Sequence, residues 1–327
     1  KAGFMKKIIL LLFIFLSLTT FVYAAGEKNN VVIEADKQEI KMDKNKGYFS
    51  GDVKVTVGDV TVKSPRAELD LDPNTKKPSL AVFYDNPYAF QNKDNKKHEI
   101  KSRIMKVSLI KKSILAEGDT QSIMLKDRQP VITINADVQQ YDTNTKLMRA
   151  KGSVIVHYND VETYSDFASA YLDKEGTVKD LKLQNNVVIK EGVNVLKGNK
   201  FEYISSREEY YLTGNTSSDL TFDDGTRLFV KSRFQQYNRL TNNVIAGGDV
   251  KVTFKDYFAQ GPKAQVFVDP KTQKPKEVIF TGRSKITQNG STVEADRIRM
   301  TMEPKEFFAD GNVKTSINGN NDMEIMP

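Results

Sequence analysis

The sequence predicts an all-β protein, an elongated jellyroll or solenoid of two facing antiparallel sheets, on three observations. A short phrase recurs at near-constant spacing, the residues around it alternate apolar and polar, and nothing after residue 30 has the period of a long amphipathic helix. The phrase is "GDVKV" at 51–55 and again at 248–252, with "GSVIV" at 152–156 and "GNVKT" at 311–315.

Counting degenerate copies, the marks fall at Gly51, Asp85, Gly118, Gly152, Asn185, Gly214, Gly248, Gly282 and Gly311, 29 to 34 residues apart. A second ruler runs between them: a small residue followed by a polar one or proline. It begins "ADKQEI" at 35 and "SPRAELDL" at 64, reads "ADVQQY" at 136 and "SRFQQY" at 232, and ends with "ADRIRM" at 295. Together the rulers define about nine units of two strands each. A longer period overlies them. The units at 64, 165 and 261 share one form and lie 101 and 96 residues apart, so residues 25–327 read as a single repetitive domain of three roughly hundred-residue blocks.

Each unit alternates with period two, the mark of a half-buried antiparallel strand. Val53, Val55 and Val57 share one face, as do Val154 and Val156, Val187 and Ile189, and Val250, Val252 and Phe254. Ala168, Ala170 and Leu172 match Ala264, Val266 and Val268 in the intervening strands. The positions between them hold mainly Lys, Asp, Glu, Gln and Thr, which places the other face in water. "DKNKG" at 43–47, "DDG" at 223–225 and "NG" at 289–290 supply hairpin turns. The apolar set is the candidate ligand-binding face, and the same pattern suits a closed core and an open groove.

Composition narrows the function. Apolar residues make up 39% and charged residues 28%, enough to bury a core. Lys6 and Lys7 precede an apolar run that ends in small residues near Ala24, the form of a secretory signal peptide over 1–24; a retained membrane anchor is the alternative. That segment holds three of the 49 basic residues and none of the 42 acidic ones, so the net charge falls from +7 to +4 without it. Such a balance calls for no nucleic acid partner.

Catalytic signals are weak. There is no cysteine, and His98 and His157 lack neighbours at ligand spacing, so no metal site is expected. Glu68, Asp70 and Asp72 could line one strand face as an acid–base or calcium set, but they suit a solvated outer face better. Asp223 and Asp224 suit a turn. No phosphate-cradling loop is present. Neither an enzyme nor a cofactor is expected.

The segments "IEADKQEI…GYFSGDVKV", "INADVQQYDTNTKLMRAKGSVIVHYND" and "VEADRIRMTMEPKEFFADGNVKT" resemble the OstA/LptA family of periplasmic lipopolysaccharide-transport proteins. The resemblance implies a β-jellyroll that shields the lipid A acyl chains of lipopolysaccharide in an apolar groove. It also implies inner-membrane anchor and outer-membrane translocon subunits as partners, joined through exposed strand edges, with head-to-tail self-association open to it. The chain is longer than the simplest members and lacks a large C-terminal barrel, which leaves a membrane-anchored, LptC-like subunit of the same pathway as an alternative. A structural or adhesive surface protein would share the repeats.

Overall fold

The computed structural model describes residues 31–317, apart from 58–59, 94–95, 143, 173–177, 223, 272–274 and 303. The signal peptide expected over 1–24 lies outside the described residues. So does Asp223, and so does the side chain of Leu172. Among the described residues there are twenty-two strands and no α-helix, only the short 3-10 turn Ser205–Arg207. The chain divides into two compact units: residues up to 192 with 202–205, and residues 193–201 with 206 onward.

In the first unit, strand β3 (Lys46–Val57) pairs on one side with the short β1 (Val31–Glu34) and β2 (Lys37–Lys41), and on the other with β4 (Val60–Leu71). The ladder passes from β4 to β5 (Pro78–Tyr84) and β6 (Tyr88–Lys93). These pair with β8 (Ile104–Ser108) and β7 (Lys96–Lys101) respectively, and both reach β9 (Ser113–Lys126). From there β10 (Gln129–Asp142), β11 (Leu147–Tyr158), β12 (Val161–Leu172) and β13 (Val178–Glu191) pair antiparallel in chain order. Strand β14 (Asn194–Ile204) spans the residues where the units divide.

The second unit repeats the meander. It runs through β15 (Glu209–Thr221), β16 (Arg227–Asn238), β17 (Asn243–Phe254), β18 (Tyr257–Val268), β19 (Pro275–Gln288) and β20 (Ser291–Met302). It ends with β21 (Lys305–Asp310) and β22 (Lys314–Ser316), both on β20.

The recurring phrase turns out to straddle a corner. Ser50 faces Arg66 and Val53 faces Ser64, so Gly51 and Asp52 bulge opposite the single residue Pro65. Both bulge residues have positive φ, 77° and 43°. The same shift interrupts β11 at Lys151/Val154 and β17 at Gly247/Val250. The two-against-one count matters because side chains alternate with period two. Two skipped residues keep the inward parity of β3, through Phe49 and Val53. One skipped residue flips that of β4, so Val62 and Ala67 both face in. All four join one buried cluster, so the bend folds the ladder into two facing halves over a common interior. Four of the roughly eighteen expected strands are cut in two at their corners, as β1/β2, β5/β6, β7/β8 and β21/β22, which makes twenty-two.

The two rulers of the sequence meet at these corners. A Cβ on Gly51 would lie 2.2 Å from Asp36 Oδ2, and one on Gly152 would lie 2.0 Å from Asp137 Oδ2. The Asp36 amide donates to the Gly51 carbonyl at 3.0 Å, and the Asp296 amide to that of Gly311 at 2.8 Å. Glycine is therefore required twice over, by its φ and by the close approach of the second ruler's polar residue.

Candidate functional site

The site the sequence points to is the interior of the ladder, and its exposure varies along each strand. Beside a corner the inward residues are buried: Val53, Ala67, Val250, Ala264, Phe280 and Ile298. Toward the strand ends the same face opens. Val55 and Val57 follow Val53, Leu69 and Leu71 follow Ala67, and each is only part-buried. In the second unit Val252 and Phe254, and Val266 and Val268, behave alike. Val55, Val57 and Val252 still pack against the buried clusters at the corners. The inward face is thus covered beside the corners and part-exposed toward these strand ends, although Val60 and Val62, toward the end of β4, are buried.

The rungs from β9 to β13 differ. There Val154, Val156, Ala168, Ala170, Val187 and Ile189 are all buried, as are Tyr158 and Val161 at the strand ends. This stretch of the first unit is a closed core. A pocket beside it, lined by Ile100, Ile134, Met148 and Ala168 among others, has a volume of about 30 Å³, room for little more than a water molecule.

Two features of the interior escaped the sequence reading. One is a buried polar belt. Gln139 accepts from the Ser122 hydroxyl at 2.6 Å and donates to Thr120 Oγ1 at 2.9 Å. Gln235 repeats the set in the second unit, accepting from Ser218 at 2.6 Å and donating to Thr216 Oγ1 at 3.1 Å. The signal was present as the shared "QQY" of 139–141 and 235–237. The other is His98, buried on the inner face of β7, where desolvation and then the charge of Lys96 push its pKa down to about 4.

The weaker candidates resolve into structural roles. Lys46 reaches Glu68 at 3.6 Å and Asp70 at 3.0 Å on the outer face. Asp72 Oδ1 instead caps the next turn, accepting from the Asn74 and Thr75 amides at 3.0 and 2.7 Å. The same hydrogen bonds, those of Thr75 first, hold the Asp72 carboxyl below its ordinary range. His157 Nδ1 lies 3.3 Å from Glu162 on the exposed face. Asp224 accepts from the Thr226 amide at 2.9 Å within its turn.

Comparison with known proteins follows this geometry. Residues 32–119 match the family described as LptA/(LptD N-terminal domain) LPS transport protein. No curated protein matches the chain. Among solved structures, the crystal structure of LptH, the LptA homologous periplasmic component of the lipopolysaccharide transport device from Pseudomonas aeruginosa, is similar at 15% identity. That alignment covers 39% of this chain and 87% of the other with a TM-score of 0.34, too distant to place any residue. The family match spans β1 to the start of β9 and takes in the corners at Gly51, Asp85 and Gly118. Over residues 32–119, about a quarter of its length, the chain is thus similar to the LptA and LptD N-terminal lipopolysaccharide-transport family.

Proposed function

We propose that the protein is a non-enzymatic, periplasmic lipopolysaccharide-binding bridge whose trough shields acyl chains on their way to the outer membrane. The observation that carries this is the gradient of exposure, from buried Val250 and Ala264 at the floor to part-exposed Phe254 and Val268 at the rims. Burying a methylene is worth about 0.8 kcal/mol, so a run of half-covered apolar rungs stabilises an alkyl chain along its length. Because successive rungs are chemically alike, no one of them holds a chain much more tightly than the next. A passive carrier needs that property. In this reading the closed stretch from β9 to β13 is scaffold, and the open rungs carry the lipid.

The strand edges support the partners. β1 and β2 pair only with β3, and β21 and β22 only with β20, among the described pairings. Val31 and Val32 are about half exposed at one edge, as are Phe307 and Phe308 at the other. Unpaired edges with apolar side chains invite another β-protein to add a strand. Anchor and translocon subunits, or a second copy, would dock there.

Site-specific photocrosslinking in cells tests the lipid reading. Probes at Val252 and Val268 should give lipopolysaccharide adducts, and probes at Lys251 on the outer face and at Val156 in the closed core should not. Adducts from Lys251 as strong as from Val252, or none at any open-rung position in a folded and exported protein, would overturn it.

A further inference from the structure

The second unit holds a contact that its ladder alone would not make. Tyr257 opens β18 and Val268 closes it, so these two lie at opposite ends of one strand. Lys305 opens β21, where it faces Met302 at the far end of β20, on the Val268 side of the bent ladder. Yet the Lys305 ammonium sits 4.8 Å from the centroid of the Tyr257 ring. Both residues have inward parity. Tyr257 packs on the second unit's core, and Lys305 alternates with Ala309, which packs there too. The contact therefore crosses the mouth of the trough, from one rim to the other.

The Tyr257 rim is built to receive a cation. Asp256 precedes the tyrosine in the turn, and Gln288 Nε2 donates to its Oδ2 at 2.6 Å. That hydrogen bond keeps the carboxyl below its ordinary range, and the Tyr257 hydroxyl and Asp256 hold the Lys305 ammonium above its own. Lys305 and Asp256 are nonetheless exposed, so the contact between the ammonium and the Tyr257 ring is made in water, where it is weak and exchanges easily. A cation placed at the rim of an apolar trough, with its chains' worth of apolar surface just below, is complementary to an anionic amphiphile.

We propose that Lys305 is a displaceable clasp: a lipid with a phosphate beside its chains takes the ammonium from Tyr257 and Asp256, opening the mouth and fixing the headgroup at this rim. The proposal rests on the trough reading above. It predicts selectivity for phosphorylated over neutral amphiphiles at this end of the protein.

The test uses the purified full chain, loaded with an uncharged apolar dye that lipid displaces. The lipids are lipopolysaccharide and its dephosphorylated form. Lys305→Gln should weaken competition by lipopolysaccharide about fivefold, the upper end for an exposed ion pair. Lys305→Arg should restore it, and with the dephosphorylated lipid neither variant should compete less well than the wild type. Equal behaviour of Lys305→Gln and wild type toward lipopolysaccharide overturns the clasp while leaving the trough intact; so does an equal loss with both lipids. If neither lipid displaces dye from the wild type, the trough reading falls and the clasp with it. Inorganic phosphate alone should displace nothing. Displacement by it would mean that the ammonium serves a free anion, and would overturn the lipid claim.

Discussion

Replacing Gly152 by alanine separates the two demands that a corner makes on its glycine. The first is conformational. Gly152 has φ +79°, and placing an L-residue there costs about 1–2 kcal/mol. The second is steric. The new methyl would stand 2.0 Å from Asp137 Oδ2, 2.5 Å from its Cγ and 2.8 Å from its Cβ. The carboxylate can swing into solvent, but the Asp137 Cβ moves only with the backbone, so about 1–2 kcal/mol of overpacking remains. The expected total is about 2–4 kcal/mol. Gly192 supplies the control in the same unit: its φ is +56°, and a Cβ there meets nothing within 4 Å. Gly192→Ala should cost only the first contribution, about 1 kcal/mol. Thermal melts followed by circular dichroism resolve these, since a unit of this size loses about 2–4 °C per kcal/mol. Asp137→Gly, combined with Gly152→Ala in a double-mutant cycle, should return a coupling of about 1–2 kcal/mol. If Gly152→Ala and Gly192→Ala melt alike, or if the coupling is nil, the interlocking of the two rulers has no energetic content.

Further outcomes follow from the same geometry. Below pH 6.5 an unfolded His98 takes up a proton that the folded one refuses until about pH 4, so stability should fall as pH drops through that window, by about 3 kcal/mol in all. His98→Leu should flatten that part of the urea-unfolding profile, and an unchanged slope would place the histidine outside the core. Gln139→Leu should cost about 1–3 kcal/mol by leaving the buried Thr120 and Ser122 hydroxyls without their amide, and adding Ser122→Ala should recover part of it. The exposed Arg233–Asp249 pair, 2.6 Å apart at a corner, should be worth less than about 1 kcal/mol and fade as salt rises; a larger, salt-insensitive loss in Asp249→Asn, which keeps a residue suited to the positive φ there, would contradict that.

Much of this architecture is legible in the chain because it is local and repeated. Alternation in "DVKVTV" and "DVKVTF" sets which side chains face in, and the spacing of Gly51, Gly152 and Gly248 sets where each strand bends. Period two needs no knowledge of distant neighbours, and a left-handed Gly-Asp pair is a backbone event that neighbours hardly influence. What the phrase does was not legible. It reads as the start of a strand, whereas its first two residues form the corner between two halves, as the pairing of Gly51 and Asp52 opposite Pro65 reveals.

Tertiary structure alone decided which inward residues are covered. Val156 and Val252 sit in the same position of the same phrase, yet one is buried and the other part-exposed. Their own residues do not differ in this respect; what differs is how far the surrounding chain covers each. The polar belt around Gln139 and the reach of Lys305 to Tyr257 belong to the same class. Each joins residues that the one-dimensional pattern treats as separate, and each exists because the bent ladder brings its two faces together.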